Sequence, residues 1–444
     1  MNIHQIRAYI VVINGGSGCI FQPFDPTCTY ILTAKHVIED AGNVVTELSR
    51  FELNGLVWSR IPIPFHLQQN VNYFAHPDRD VAILKIPKIQ NLEQVVRTDA
   101  IIEDRKNYIL SGYPQTRRDP IADPEYGNGF RQDEDVTIHG LKNNSLVEAK
   151  IPDNPGIDEI QGHSGGALGK IRDDFFMIAG IQSQMVDADG EQLGRIDFSP
   201  MSSFDDLVSR FPNELSALTP AHLGCFSFLK DSAFIMEVNA FDEESVAFTR
   251  NYLKNTADNI IASTATPLFI KNYFKTRLLL NPNNPEVLDG RSIWIAWLEF
   301  LTILNIIRYN AFDETELAEI FDSFRLLFSD TKEDWTRELQ SMIYSDYKGL
   351  KKGGVVVIST IKSPLGNLYE INAGKIPKLM RANVDKKKMK TDDGINFPFD
   401  HYRFVHLDSF KKKCIMDKLS EYENILDEQE LLLKLQEEYG QYIA

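Results

Sequence analysis

The chain has 444 residues, more than one ordinary hydrophobic core accommodates, which indicates two domains or three. Hydrophobic residues make up 43% of it and charged residues 25%, as in soluble globular proteins. The formal net charge of −16 argues against a general nucleic-acid or membrane binder. Cys19 and Cys28 could pair, but only four cysteines and no apolar leader segment favour a reduced cytosolic protein.

Residues 1 to about 200 contain short apolar runs separated by turn residues, a pattern that predicts many short β-strands. The predicted strands are Ala8–Asn14, Tyr30–Ala34, Val81–Ile86, Tyr108–Ser111 and Phe175–Gln182. Such a series is typical of an all-β barrel or sandwich. A helix is predicted over Ser202–Phe211, where serines and two aspartates suit a helix start.

Three short motifs in this half carry residues that can act together in acyl transfer. A histidine follows a strand in Thr33-Ala34-Lys35-His36-Val37, and an aspartate precedes one in Asp80-Val81-Ala82-Ile83-Leu84. A serine lies among glycines in Gly162-His163-Ser164-Gly165-Gly166. Glycines allow a turn that presents a hydroxyl together with backbone N–H groups. A nucleophile, a base and a group that orients the base are the parts that peptide hydrolysis needs.

The order of these motifs separates two classes of hydrolase. An α/β-hydrolase has the order serine, acid, histidine, with a helix directly after the serine. Here the order is histidine, aspartate, serine, and the stretch Phe175–Ile181 after the serine predicts a strand. The α/β-hydrolase alternative would need His222, His401 or His406 as its base.

The three motifs resemble those of the trypsin-like (chymotrypsin-fold) serine proteases, and the similarity covers roughly residues 1–212. The resemblance implies an all-β double six-stranded barrel and a reaction without a metal or organic cofactor. It implies that Ser164 is the nucleophile, His36 the general base and then acid, and Asp80 the carboxylate that orients His36. It also implies an oxyanion hole formed by the backbone N–H groups of Gly162 and Ser164, and a hydrogen bond from Ser183 to Asp80.

The same resemblance implies which residues contact the substrate. Asp158, Gln182 and Met185 fall at positions that line the pocket in the family. Relatives that cut after Arg or Lys carry an aspartate where Asp158 stands, so a basic residue is expected at the cleaved bond. Glu159 is the alternative carboxylate for this role. Met185 stands where a glycine is usual and is expected to narrow the pocket.

Two alternatives and one departure from the family pattern remain at this level. His76 lies close to Asp80 and could act as the base, although its surroundings predict a loop. The fold could also serve as a catalytically silent binding or scaffold protein. His163 replaces the aspartate that pairs with a newly freed N-terminus in digestive relatives. We therefore expect residues 213–444, or a partner that they bind, to regulate the site.

Beyond Pro212 the period of the apolar residues changes to 3.6, which predicts a mainly helical domain over 213–444. Residues 353–360 and 368–371 predict a small β-hairpin within it. Helices are expected near 242–258, 288–309, 313–329, 331–347 and 407–440.

Two kinds of segment in this half have ordinary interpretations. The longest apolar run, Ile293–Ile307, contains Glu299 and is shorter than the ~20 residues of a membrane span, so a buried helix is expected. The basic runs Lys386–Lys390 and Lys411–Lys413 are expected to be solvated.

Residues 213–444 also resemble the C-terminal domains of bacterial ABC-three-component conflict systems. The resemblance rests on the Trp294–Arg308 helix, on Trp335, and on Asp346–Leu350 before a valine-rich strand. Some of these systems attach such a domain to a trypsin-like effector. The expected function is therefore that of a regulated cytoplasmic endopeptidase in antiviral defence, with a protein substrate and a regulatory or sensor partner. Neither a membrane nor a nucleic acid is expected as a partner.

Overall fold

The computed structural model describes residues 3–55, 57–90, 92, 96–97, 105–115, 129–142, 145–160, 162–172, 175–185, 194–238, 243–281, 285–331, 335–364, 370–371 and 385–443. The chain divides into two units, residues 1–221 and 222–444. The first unit is built from two β-sheets, and the second combines a third sheet with helices.

Seven strands form the first sheet, namely β1 Ile10–Ile13, β2 Gly16–Phe21, β3 Cys28–Thr33, β4 Leu48–Asn54, β5 Val57–Pro62, β6 Tyr73–Ala75 and β7 Ala82–Pro87. They pair antiparallel in the order β5-β4-β1-β2-β3-β7-β6. Successive side chains of a strand point to opposite faces, so Val11 and Ile31 pack inside this sheet. Their neighbours Val12 and Leu32 pack in a core shared with the second sheet.

The second sheet contains β8 Val96–Arg97, β9 Tyr108–Gly112, β10 Arg131–Leu141, β11 Val147–Lys150, β12 Ala167–Arg172, β13 Phe175–Met185 and β14 Arg195–Pro200. Six of these strands close into a barrel because β12 pairs with both β9 and β13, while β8 pairs in parallel with β13. The predicted all-β double-barrel class is thus confirmed, with a closed six-stranded second barrel. In the first sheet, the described residues show no pairing between the end strands β5 and β6.

Among the described residues of this unit, three α-helices accompany these sheets: α1 His36–Glu39, α2 Ile157–Ile160 and α3 Met201–Arg210. Helix α3 packs in the core shared by the two sheets through three apolar side chains, Met201, Phe204 and Leu207. Residues past the helix belong to this unit as well, because Leu215 and Leu218 pack in the same core. The first unit therefore ends at Ala221, beyond the Pro212 boundary that the sequence suggested.

The sheet of the second unit contains β15 Leu279–Asn281, β16 Phe324–Ser329, β17 Val355–Thr360, β18 Glu370–Ile371 and β19 Arg403–His406. Its order is β15-β16-β17-β19-β18, with only the last pair antiparallel. The α-helices are α4 Ala221–Gly224, α5 Glu243–Ile261, α6 Pro267–Phe274, α7 Ser292–Ile307, α8 Glu314–Ser323, α9 Leu339–Met342, α10 Pro398–His401, α11 Asp408–Lys412, α12 Leu419–Tyr422 and α13 Glu428–Ile443. The mainly helical character predicted for this half is confirmed.

The small hairpin predicted between 353–360 and 368–371 is wrong. Strand β17 pairs in parallel with β16 and β19, and β18 pairs with β19 instead. Val355 and Val357 pack on one face of the sheet, and Val356 on the other. A strand buried on both faces is a continuous apolar run in sequence, which predicts a strand but not its partners.

Three predicted helices are shorter than the apolar periodicity suggested. The segment 313–329 divides into α8 and β16, and the described part of 331–347 holds a 3-10 turn at Trp335–Glu338 followed by α9. The segment 407–440 divides into α11, α12 and α13. Short apolar runs fit the periods of a strand and of a helix alike, and tertiary pairing decides between them.

Helix α7 carries a buried ion pair. Glu299 is 4% exposed and accepts a hydrogen bond from the Phe234 N–H at 2.6 Å. Lys411 Nζ lies 3.0 Å from Glu299 Oε2 and 3.1 Å from Asp408 Oδ1. The prediction that Lys411 belongs to a solvated basic run is therefore wrong, because a buried carboxylate requires a cation beside it.

Two further observations concern the cysteines and the apolar helices. All four cysteines are free, so Cys19 and Cys28 do not form a disulfide. Burial raises the pKa of the Cys28 thiol to about 11, which keeps it protonated at neutral pH. No helix in the described ranges is long and apolar enough to span a bilayer.

Candidate active site

His36 lies where the chain leaves β3 and begins α1. Thr33 at the end of β3 pairs with Ala82 at the start of β7, so His36 and Asp80 come to the same edge of the first sheet. The Lys35 Nζ adds a second link, because it donates to the carbonyl oxygen of His76 at 3.2 Å. Strand pairing thus brings together two motifs that lie far apart in sequence.

The Asp80 carboxylate holds His36 through both of its oxygen atoms. Oδ2 lies 2.9 Å from His36 Nδ1, and Oδ1 accepts a hydrogen bond from the His36 backbone N–H at 2.9 Å. The Ser183 hydroxyl, on β13 of the second sheet, donates a hydrogen bond to Oδ2 as well. The carboxylate therefore fixes the main chain of His36 and the orientation of its ring.

These contacts set the charges of the pair. Burial alone would lower the pKa of His36, but the hydrogen bond and charge of Asp80 raise it above the usual histidine value. Burial alone would raise the pKa of Asp80, but its bonds to His36 and Ser183 lower it. The arrangement favours an ionised carboxylate beside an imidazole that carries its proton on Nδ1. Nε2 is then the ring nitrogen that can accept a proton.

Ser164 lies in a turn that requires glycine at two of its positions. Gly162 and Gly165 both have a φ of 86°. A Cβ at Gly162 would lie 2.7 Å from the Gln115 nitrogen, and one at Gly165 only 1.8 Å from the Ser17 carbonyl oxygen. The turn is held to β13, because Gly165 N–H donates to the Gln182 carbonyl oxygen at 2.8 Å. The glycines of the motif are therefore required by close packing.

Ser17 on β2 ties the first sheet to this turn, and sequence analysis missed it. Its N–H donates to the Ser164 carbonyl oxygen at 2.7 Å, and its hydroxyl donates to the Gly162 carbonyl oxygen at 3.2 Å. The same hydroxyl accepts a hydrogen bond from the Tyr113 N–H at 2.8 Å. The only sequence signal was the run Gly16-Ser17-Gly18, in which small residues allow two segments to approach closely.

The backbone of Ser164 lies beside the helix that carries His36. A Cβ at Gly16 would stand 2.9 Å from the Ser164 carbonyl oxygen and 2.7 Å from the Val37 side chain. Gly16 thus separates the serine turn from the residue after His36. Within the described part of the chain, no hydrogen bond joins the Ser164 hydroxyl to His36 Nε2. The pair Asp80–His36 is bonded, and the Ser164 turn lies against Gly16, which also contacts Val37.

His163 and Gln182 form a buried pair behind the serine turn. His163 is fully buried, and its Nδ1 lies 3.0 Å from the Gln182 Oε1. Gln182 is itself only 2% exposed. Gln182 was predicted to bind the substrate, and in the structure its side-chain amide is turned to His163. Strand alternation is the reason, because Ser183 next to it faces Asp80.

Of the predicted specificity residues, the structure describes little. Asp158 lies in helix α2, but its side chain falls outside the described part, and so does that of Met185. Glu159, the alternative carboxylate, is exposed, and its Oε2 accepts a hydrogen bond from the Gly156 N–H at 3.3 Å. Glu159 therefore faces its own loop and not a pocket.

The histidines weighed as alternative bases have other partners. His76 is 1% exposed, and its Nε2 lies 2.7 Å from Asp206 Oδ2. In the second unit, His222 Nε2 contacts the Asp289 carbonyl oxygen at 3.2 Å, and burial lowers the pKa of His222 to about 3. His406 Nε2 contacts Thr360 Oγ1 at 2.9 Å. His401 ends helix α10. His36 is the histidine held by a carboxylate next to a glycine-flanked serine.

Two mainly antiparallel β-sheets, with His36 and Asp80 on the first and Ser164 on a turn of the second, define the trypsin-like double-barrel class of fold. Residues 198–416 match the family model of C-terminal domain 4 (CTD4) of the ABC-three component (ABC-3C) systems. The predicted resemblance of the second half is thereby confirmed. The matched region begins in β14, so it includes α3 of the first unit.

Solved structures similar to the chain include two serine-to-alanine variants. One is an inactive form of Rv3671c from M. tuberculosis H37Rv, 14% identical, which covers 47% of this chain and 89% of that one with a TM-score of 0.31. The other is the HtrA-type protease AlgW with a tripeptide, 16% identical, which covers 47% of this chain with a TM-score of 0.32. The chain covers 61% of that second protein. A search of curated protein sequences gives no significant match.

Proposed function

We propose that the first unit is a serine endopeptidase domain in which Ser164 is the nucleophile, His36 the general base and Asp80 the orienting carboxylate. The observation that carries this proposal is the bond of 2.9 Å between Asp80 Oδ2 and His36 Nδ1. An imidazole held through Nδ1 presents Nε2 to a nucleophile, which is the arrangement that acyl transfer requires. The tie from Ser17 to the Ser164 turn supports it, because it holds the serine beside α1.

The reaction then follows from the roles of these groups. The Ser164 hydroxyl transfers its proton to His36 Nε2 and attacks the carbonyl carbon of the scissile peptide bond. The oxyanion that forms accepts hydrogen bonds from the N–H groups of Gly162 and Ser164. His36 then gives its proton to the departing amine. Water hydrolyses the acyl-enzyme by the same steps in reverse order, and Ser164 regains its proton.

Labelling with a fluorophosphonate probe tests the proposal directly, since the probe reacts with an activated serine. We expect labelling of the wild type and its loss in Ser164→Ala and His36→Ala. Ser202→Ala and His66→Ala are matched controls, because both residues are exposed and lie outside the site. Labelling that survives in Ser164→Ala would assign the nucleophile elsewhere. A wild type that never labels, with or without cell extract, would favour the alternative of a silent binding or scaffold protein.

We propose further that the substrate is a protein cut after Arg or Lys, with Asp158 as the carboxylate that binds the basic side chain. The support is the position of Asp158 before the serine turn, together with the contact of Glu159 with its own loop. Peptide substrates that differ only in the residue before the cleaved bond test this. Equal rates for Arg, Lys, Phe and Ala would end the proposal, and Asp158→Asn should lose the preference for basic residues.

We also propose that the protein is an intracellular effector in a defence system. In this proposal the second unit regulates the protease in response to a protein partner. The match of residues 198–416 to a domain of ABC-three component systems supports this, because such systems have several components. The test compares residues 1–221 with the full chain, each with and without extract of infected cells. The cut belongs after Ala221, because Leu215 and Leu218 pack in the first unit. Equal labelling of both proteins under both conditions would exclude regulation by the second unit.

A further inference from the structure

The hydrogen-bond partners of His76 determine which of its ring nitrogens carries the proton. Its Nδ1 accepts hydrogen bonds from two backbone N–H groups, those of Asp78 at 3.0 Å and Arg79 at 2.9 Å. Its Nε2 lies 2.7 Å from the carboxylate of Asp206 on α3. A nitrogen that accepts from two N–H groups carries no proton, so the hydrogen is on Nε2 and is donated to Asp206. The ring is therefore fixed in one tautomer.

The two N–H groups belong to the six-residue loop 76–81, which carries Asp80 between β6 and β7. The His76 N–H donates to the Val81 carbonyl oxygen at 3.0 Å and closes the loop. Lys35, the residue before His36, donates to the carbonyl oxygens of His76 and Pro77 at 3.2 and 3.3 Å. The loop is thus held by an imidazole on its N–H side and by an ammonium on its carbonyl side.

We propose that His76 is a positioning residue for the catalytic pair: it fixes the loop that presents Asp80 to His36, and Asp206 on α3 fixes the tautomer in which it can do so. The consequence for catalysis rests on the proposed function, whereas the structural role of His76 does not. His76 itself does not contact the reacting atoms.

The physical argument starts from the residue next to Asp80. Arg79 is directly bonded to the ring through its N–H, so loss of the acceptor releases the backbone immediately before the carboxylate. Asp80 must keep both oxygens on His36, at 2.9 Å each. A displacement of about 1 Å at such a site costs on the order of 10²-fold in rate. Val81 anchors the far end of the loop in the core, whereas the two N–H bonds to His76 hold the part that precedes Asp80.

The anchor of the ring is itself supported by charge. Asp206 Oδ2 lies 3.7 Å from a guanidinium nitrogen of Arg79 and 3.6 Å from one of Arg210, in addition to His76. The hydrogen bond from His76, followed by these charges, lowers the pKa of Asp206, so the anchor is ionised at neutral pH. An ionised acceptor holds the Nε2 proton more firmly than a neutral one does.

Four variants separate this role from a general loss of stability. His76→Phe keeps a buried ring but removes both polar atoms, whereas His76→Asn keeps an acceptor oxygen at the position of Nδ1. Asp206→Asn keeps an acceptor for Nε2–H but removes the charge. Asp205→Asn is the matched control, because Asp205 lies on the same helix and pairs with Arg97 at 2.6 Å. Thermal unfolding establishes that each variant is folded at the assay temperature.

The first measurement is the titration of the His36 ring by NMR, which needs no catalysis. Asp80 raises the pKa of His36, while the nearby charges of Asp40 and Glu39 contribute less and are unchanged in the variants. We expect His76→Phe to lower the pKa of His36, and His76→Asn and Asp205→Asn to leave it near the wild-type value. Asp206→Asn should lie between these limits. A His36 pKa that is the same in folded His76→Phe and in the wild type would overturn the proposal.

The second measurement is the rate of fluorophosphonate labelling and of peptide hydrolysis. We expect His76→Phe to lose on the order of 10²-fold in kcat with little change in KM. His76→Asn should recover most of this loss. If His76→Asn is as slow as His76→Phe, acceptance by Nδ1 is not the role of the residue. If the wild type shows no activity at all, the proposed function fails, and the His36 titration still decides whether His76 positions Asp80.

Discussion

Replacement of Gly165 by alanine is the sharpest test of how the serine turn is built. Gly165 directly follows Ser164, has a φ of 86°, and lies against the carbonyl oxygen of Ser17 on β2. An added Cβ would stand 1.8 Å from that oxygen and 2.5 Å from Thr33 Oγ1. Thr33 cannot yield easily, because its hydroxyl donates to the same carbonyl oxygen at 2.7 Å. The turn or the strand must therefore move.

The size of the effect follows from these distances. Ordinary contact begins at 3.4 Å, so the two segments must separate by roughly 1.6 Å. A left-handed backbone costs alanine roughly 1–2 kcal/mol, and overpacking typically costs about 1–3 kcal/mol. We expect a stability loss of about 2–5 kcal/mol. The same movement displaces Ser164, which should lower the labelling rate on the order of 10²-fold.

The assay compares the fluorophosphonate labelling rate and the urea unfolding curve of Gly165→Ala with those of Gly140→Ala. Gly140 lies on β10 of the same sheet, and an added Cβ there meets nothing within 4 Å. Gly140→Ala should match the wild type in its labelling rate. If Gly165→Ala folds with wild-type stability and labels within threefold of the wild type, the close packing of the turn against β2 is refuted.

Three other predictions concern charge and hydrogen bonding. Ser183→Ala should raise the pKa of Asp80 and lower kcat/KM roughly 10-fold, because a hydrogen bond to a carboxylate contributes about 1.5–3 kcal/mol. An unchanged kcat/KM would show that Ser183 does not belong to the site. The rate of peptide hydrolysis should fall as the pH decreases and His36 gains a proton, with a midpoint above pH 6.5. A midpoint below pH 6.5 would contradict the effect of Asp80 on the pKa of His36. Glu299→Gln should cost about 1.5–3 kcal/mol in unfolding experiments because it removes one of the two carboxylates beside Lys411 and leaves Asp408 alone to balance its charge, whereas Lys412→Gln at an exposed pair should cost less than about 1 kcal/mol.

The double-barrel fold and the residues of the candidate site could be predicted because short motifs carry both. A histidine at a strand end, an aspartate before a strand and a serine among glycines are local patterns, and strand pairing brings them together. Ser17 could not be found in this way. Its role depends on contacts with the Ser164 turn and with Tyr113, which lie far away in sequence. The direction of the Gln182 side chain could not be predicted for a similar reason, since one step along a strand reverses the direction of a side chain.

The strand pairing of the second unit was harder to predict because its sheet is mostly parallel. Parallel partners come from distant segments, and no turn between β16 and β17 marks the pairing. The hairpin predicted for β17 assumed a local partner, whereas the true neighbours are Phe324–Ser329 and Arg403–His406. The surroundings of Lys411 could not be predicted from sequence either, because only the fold shows that Glu299 on α7 lies beside it.

The candidate site depends on contacts between two sheets, and α3 packs in the core that these sheets share. Ser183 of the second sheet reaches Asp80 of the first, and Ser17 of the first reaches Ser164 of the second. Both hydrogen bonds would break if one sheet shifted relative to the other. Helix α3 fills that core with Phe204 and its neighbours on one side, and on another it binds the histidine of the 76–81 loop through Asp206. A change in the position of α3 would therefore disturb both the contact between the sheets and the loop that carries Asp80.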